Sequence, residues 1–174
     1  MEIPLKFKKQ KAKSLLSIYL ELSKLNILSL VLVATLLGYF LGNMGWGSWE
    51  RLFFTLLGTS LTAAGSGAFN HLIERVPDGL MERTKNRPLP AELISPIHVL
   101  LFGITMAISG IVLLVWKVNM LTGFLSLLTA FLYITIYTPL KKVTWWNTSV
   151  GSIPGALPII GGWTAATGEI GTMA

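Results

Sequence analysis

Polar and apolar positions are sharply segregated along this chain. Five long apolar runs, at 25–41, 52–69, 93–116, 121–137 and 150–166, alternate with short polar stretches. Each is near the roughly 20 residues that an α-helix needs to cross a bilayer. The runs are continuously apolar, whereas a transmembrane strand alternates over about ten residues, so helices are predicted and strands are not. The expected fold is all-α, a polytopic membrane helical bundle with five candidate transmembrane helices. Pro77 follows the second run closely; it lacks a backbone N–H and disfavours helical geometry at Val76. The helix is therefore expected to end or kink there, with Asp78 and Gly79 on a turn beyond it.

Composition supports the same class. The 174 residues are 52% hydrophobic and 13% charged, with a mean hydropathy of +0.65, against about a quarter charged in a typical soluble domain. There is no cysteine, which excludes disulfides and thiolate metal sites and leaves the compartment open. Residues 1–24 carry six lysines but no short apolar segment with a small-residue cleavage site, so they read as a retained basic tail rather than a signal peptide. Neither a soluble domain nor an internal repeat is evident, and residues 1–174 read as one membrane unit.

The basic residues are distributed unevenly. The tail, the 74–92 stretch and the stretch after Tyr137 hold twelve of the fourteen Lys and Arg; Arg51 and Lys117 are the other two. By the positive-inside rule the N-terminus, the 74–92 loop and Lys141 face the cytoplasm. The net charge of +6 suits attraction to anionic headgroups. Nucleic-acid binding is not expected, because the cations bracket apolar runs and no nucleic-acid module is present.

Charge is densest at 70–90, where Arg75, Arg83, Lys85 and Arg87 accompany Glu74, Asp78 and Glu82. Such density beside lipid is costly and marks a candidate functional site. Asn70, Glu74 and Asp78 are four apart, a spacing that shares one face of a continuing helix. Hard oxygen donors of this kind suit Mg²⁺, which takes one or two carboxylates, keeps waters and binds substrate phosphates. Arg83, Lys85 and Arg87 are candidate diphosphate contacts, the guanidinium groups gripping in paired fashion and the lysine as a point charge. Lys141, at the end of the fourth run, is a further candidate. Spacing alone leaves open a solvated loop whose charges neutralise one another. His71 and His98 are lone histidines and are assigned no ligand role. Glycines and prolines in the fifth run point to close packing and kinking, and tryptophans near run ends to an aromatic belt.

The segment containing Asn70, Glu74, Asp78, Met81, Arg83, Thr84, Arg87 and Pro88 resembles the first acidic motif of the UbiA-type intramembrane prenyltransferases. Met-Glu-Arg-Thr-Lys-Asn-Arg-Pro-Leu-Pro is especially similar to the protohaem IX farnesyltransferase (haem O synthase) branch. A second match follows in the same order: Tyr137-Thr138-Pro139-Leu140-Lys141-Lys142, Asn147-Thr148, Gly151, Pro154-Gly155-Ala156 and Gly161-Gly162-Trp163. The resemblance implies a helical bundle, usually of nine spans, of which this chain would be about half. It implies ionisation of farnesyl diphosphate with Mg²⁺ and farnesyl transfer to a vinyl group of protohaem IX, at the inner (cytoplasmic) membrane. It also makes Asn70, Glu74 and Asp78 the metal-binding catalytic set. Glu74 departs from the family's more frequent Asp. The family's second acidic motif has no counterpart here, since Glu169 is the only acid after Glu92; the expectation is that the chain alone is inactive and needs a C-terminal half. Two other functions stay open at this stage: a UbiA-type enzyme acting on an aromatic or quinone precursor, and a non-enzymatic membrane subunit or small transporter.

Overall fold

The computed structural model describes residues 13–141 and 145–171, and every regular element among them is helical. They are α1 (Leu15–Leu22), α2 (Leu25–Asn43), α3 (Trp49–Leu80), α4 (Pro96–Lys117), α5 (Met120–Leu140, with a π-helical segment at Leu132–Tyr137) and α6 (Asn147–Thr167). All five apolar runs therefore form helices. Four of them, α2 to α5, are long and apolar enough to cross a membrane. The fifth, α6, has 21 residues, but its glycines, prolines, serines and threonines leave it without a stretch as apolar as those in the other four.

Local chemistry explains where these helices start and stop. The Ser14 hydroxyl accepts the Ser17 N–H and caps α1; Ser48 does the same for α3 through Arg51. Asn119 caps α5 through the Thr122 N–H at 2.8 Å and also donates to the Thr164 carbonyl at 2.8 Å, which ties the start of α5 to α6. Such caps satisfy N–H groups that a helix end leaves without partners. Between α1 and α2 the chain turns through Lys24, whose φ is +50°. That left-handed conformation is unusual for a non-glycine residue, and it directs the Lys24 side chain back toward α3.

The main packing pairs are α3 with α4 and α2 with α6. Glycines permit both. A Cβ on Gly65 would lie 2.7 Å from the Gly103 carbonyl oxygen of α4. One on Gly162 would collide with the Thr35 carbonyl of α2, and one on Gly38 with the Ile159 carbonyl of α6. Small residues let membrane helices approach this closely. Buried hydroxyls turn back onto their own helices: Thr35 donates to Val31, Thr55 to Arg51, Thr62 to Gly58 and Ser66 to Thr62. In a lipid setting this satisfies polar groups that have no water to bond.

The expected helix end at Pro77, with Asp78 and Gly79 on a turn beyond it, is not found. Pro77 lies inside α3, which continues to Leu80. The turn beyond holds the last residues in place, because the buried Thr84 hydroxyl donates to the Asp78 carbonyl at 2.9 Å and Arg87 pairs with the Asp78 side chain. These tertiary contacts override the local bias of the X-Pro bond. Replacing Pro77 with Ala should keep the helix and stabilise it by up to about 3 kcal/mol, the interior cost of proline; a lowered thermal midpoint in detergent would contradict this. With 32 residues, α3 is about 48 Å long, well beyond a hydrocarbon core of about 30 Å. Its final turns therefore carry the polar residues past the apolar layer.

Candidate functional site

Because α3 runs on through Pro77, Asn70, Glu74 and Asp78 share one face, with exposures of 0%, 7% and 2%. Cations from three other segments close over them. Arg87, from the loop after α3, pairs with Asp78 Oδ2 at 2.5 Å and approaches Glu74 Oε2 at 3.9 Å. Lys141, at the end of α5, donates to Glu74 Oε1 at 2.8 Å. Lys24, at the α1–α2 corner, donates to Asn70 Oδ1 and lies 3.8 Å from Glu74 Oε2. The other side of the Asn70 amide donates to Thr138 Oγ1 at 3.0 Å, and Thr138 in turn donates to the Tyr133 carbonyl at 2.7 Å. The π-helical segment of α5 thereby brings Thr138 onto α3, a common position for such segments at functional sites.

Of the predicted diphosphate contacts, Arg87 and Lys141 join this cluster. Arg83 and Lys85 do not: both are exposed, and Lys85 pairs with Glu82 at 2.6 Å. Lys142 lies outside the described residues. Lys24 was counted in the basic tail but not anticipated as a site residue. Its signal in the sequence was faint, a single lysine at the edge of the first apolar run. Burial lowers its pKa to about 8, with Arg87 and Lys141 pushing the same way and Glu74 and Asp78 opposing. His71 is buried beside the cluster near the Glu21 carbonyl, and among the described residues neither ring nitrogen has a hydrogen-bond partner. His98 is tied to the Ser95 hydroxyl, away from the site.

Among the described residues three basic side chains thus face two carboxylates, an excess of positive charge suited to an anion. Among the described residues no three His, Cys, Asp or Glu gather as a metal cage. Two carboxylates and an amide oxygen still fit Mg²⁺, which completes its shell with water and substrate oxygens. Directly below the cluster, a slender cavity of about 100 Å³ runs between α2, α3, α5 and α6, with Lys24 and Tyr133 at its charged end. The site therefore couples an anion-binding head to an apolar channel.

A model of the UbiA prenyltransferase family matches residues 31–174. The protoheme IX farnesyltransferase of Salinibacter ruber is 46% identical over 153 residues, 88% of this chain and 54% of that protein. Those of Solibacter usitatus and Aquifex aeolicus are 40% and 41% identical, covering 87% of this chain and 55% and 52% of the relatives. The chain spans about half the length of the curated relatives it matches. No solved structure matches it. From residue 31 onward the family pattern covers α3 and α5, which carry Asn70, Glu74, Asp78 and Thr138, while Lys24 lies before it; the chain belongs to the UbiA prenyltransferase family.

Proposed function

We propose that this chain provides the diphosphate-binding part of a protohaem IX farnesyltransferase, which moves a farnesyl group from farnesyl diphosphate to a vinyl group of protohaem IX to give haem O. The observation that carries the reading is the excess of cations over carboxylates at the mouth of an apolar channel. This arrangement suits a ligand with a highly charged head and a hydrocarbon tail. The acceptor is taken from the relatives, which are protoheme IX farnesyltransferases.

In this reading Arg87, Lys141 and Lys24 hold the diphosphate. As the allylic C–O bond breaks, its electron pair passes to the leaving oxygen, and these fixed cations stabilise the charge that develops there. Preorganised charge of this kind is worth most where water is excluded. Glu74, Asp78 and Asn70 would hold Mg²⁺, which supplies Lewis-acid neutralisation of the diphosphate. Asp78 and Glu74 also keep Arg87 and Lys141 in position. The basic end of the bundle would face the cytoplasm across the inner membrane, in keeping with the positive-inside rule.

The test is calorimetric binding of farnesyl diphosphate to the purified chain in nanodiscs, with and without Mg²⁺. Binding should require the metal, be displaced by inorganic diphosphate and not be reproduced by farnesol. Equal binding of farnesol would reject the reading. Lys24→Met should weaken binding by about 10-fold or more, from loss of a charged contact worth 1.5–3 kcal/mol, whereas Lys85→Met should have little effect. For the acceptor, the haem profile of cells lacking the gene decides: loss of haem O supports the assignment, and loss of a prenylated quinone with haem O unchanged rejects it.

A further inference from the structure

The channel beneath the charged cluster has a length as well as a polarity. Along α2 it extends from Lys24 to Thr35, and along α5 from Tyr133 to Thr122. Eleven residues of helix advance about 16 Å. Buried groups stand at its far end. Thr35 and Thr122 form the floor, and Thr122 is pinned by a hydroxyl contact of 3.0 Å to Thr164. Beneath them Tyr39, Leu52 and Ala165 pack into one buried cluster, with the Tyr39 hydroxyl donating to the Ser48 carbonyl at 2.8 Å. A volume of about 100 Å³ spread over about 16 Å suits a chain that lies extended.

An extended isoprenoid can be compared with that depth. At ordinary C–C bond lengths, two, three and four isoprene units span about 9, 14 and 19 Å. Three units fit above the floor and four do not. We propose that this channel is a length gauge for the prenyl chain, with the Thr35–Thr122 floor setting the upper limit and Ser126 and Thr59 shaping the level that the third isoprene unit occupies. Ser126 lies seven residues below Tyr133 on α5, and Thr59 eight below Gly67 on α3, so both sit about 11 Å from the charged end. Their side chains are small and reach the channel from different walls. The inference rests on the diphosphate reading of the cluster and adds the residues that select the tail.

The experiment compares geranyl, farnesyl and geranylgeranyl diphosphate binding to the full 174-residue chain with Mg²⁺, in nanodiscs. The unaltered chain should bind farnesyl diphosphate on the order of 100-fold more tightly than geranyl, because the third unit buries five more carbons, and should bind geranylgeranyl no better than farnesyl. Ser126→Phe and Thr59→Phe, made separately, should each remove the farnesyl advantage and leave geranyl binding within about 3-fold, since the third unit's apolar gain is the part lost. Affinity independent of chain length, or two variants that weaken all three ligands alike or leave the ranking intact, overturns the gauge. Those results still show a diphosphate site, whereas binding that inorganic diphosphate fails to displace removes the site itself.

Discussion

Asp78→Asn should lower Mg²⁺-dependent farnesyl diphosphate affinity on the order of 100-fold, the consequence of losing a charged contact worth up to about 3 kcal/mol. The substitution preserves size and one acceptor oxygen, so it isolates charge from shape. Asp78 is almost fully buried and pairs with Arg87 at 2.5 Å. Neutralising it leaves a guanidinium beside Glu74 with weaker compensation, and breaking a buried pair from one side is costly. Stability should therefore fall as well. The double variant Asp78→Asn with Arg87→Gln should recover part of the stability but none of the affinity, because both groups act on the ligand while only their imbalance harms the fold. Unchanged metal dependence in Asp78→Asn would remove Asp78 from the proposed site. Fully additive stability losses would show that the pair is not coupled.

The second large effect lies between α2 and α6. Gly38→Ala and Gly162→Ala should each destabilise the protein by about 3 kcal/mol or more, at the upper end of overpacking costs. In both positions the added methyl meets a backbone carbonyl of the facing helix, so no rotamer change relieves the collision and the helices must separate. Gly155 is the internal control. A Cβ there meets nothing within 4 Å, so Gly155→Ala should be neutral or gain up to about 1 kcal/mol of helix propensity. Thermal unfolding of the three variants in one detergent provides the comparison. A shift at Gly155 as large as at Gly38 would rule out close helix approach as the cause.

Much of the site is legible in the chain because its central residues are local to one another. Asn70, Glu74 and Asp78 recur every four residues, and helical periodicity places them together wherever the helix continues. That continuation was misread at Pro77. A proline's local cost is visible in sequence, but the Thr84 and Arg87 contacts that hold the following turn are made only when the loop folds back. The surrounding cations are less legible. Arg83, Lys85 and Arg87 look alike as a basic run, yet only Arg87 faces the carboxylates. Lys24 reaches Asn70 across 46 positions, and Lys141 reaches Glu74 across 67.

By itself the sequence determines an all-helical membrane chain with five apolar segments and a carboxylate-bearing helix end, because length, apolarity and a four-residue repeat act within single segments. Tertiary structure decides which cations complete the site, how deep the channel runs and where it closes. Those properties depend on glycine-mediated approach of α2 to α6 and of α3 to α4, and on the left-handed corner at Lys24. The charged run at 70–90 announces an anion site, but the packing of distant helices gives that site its third cation and its apolar channel.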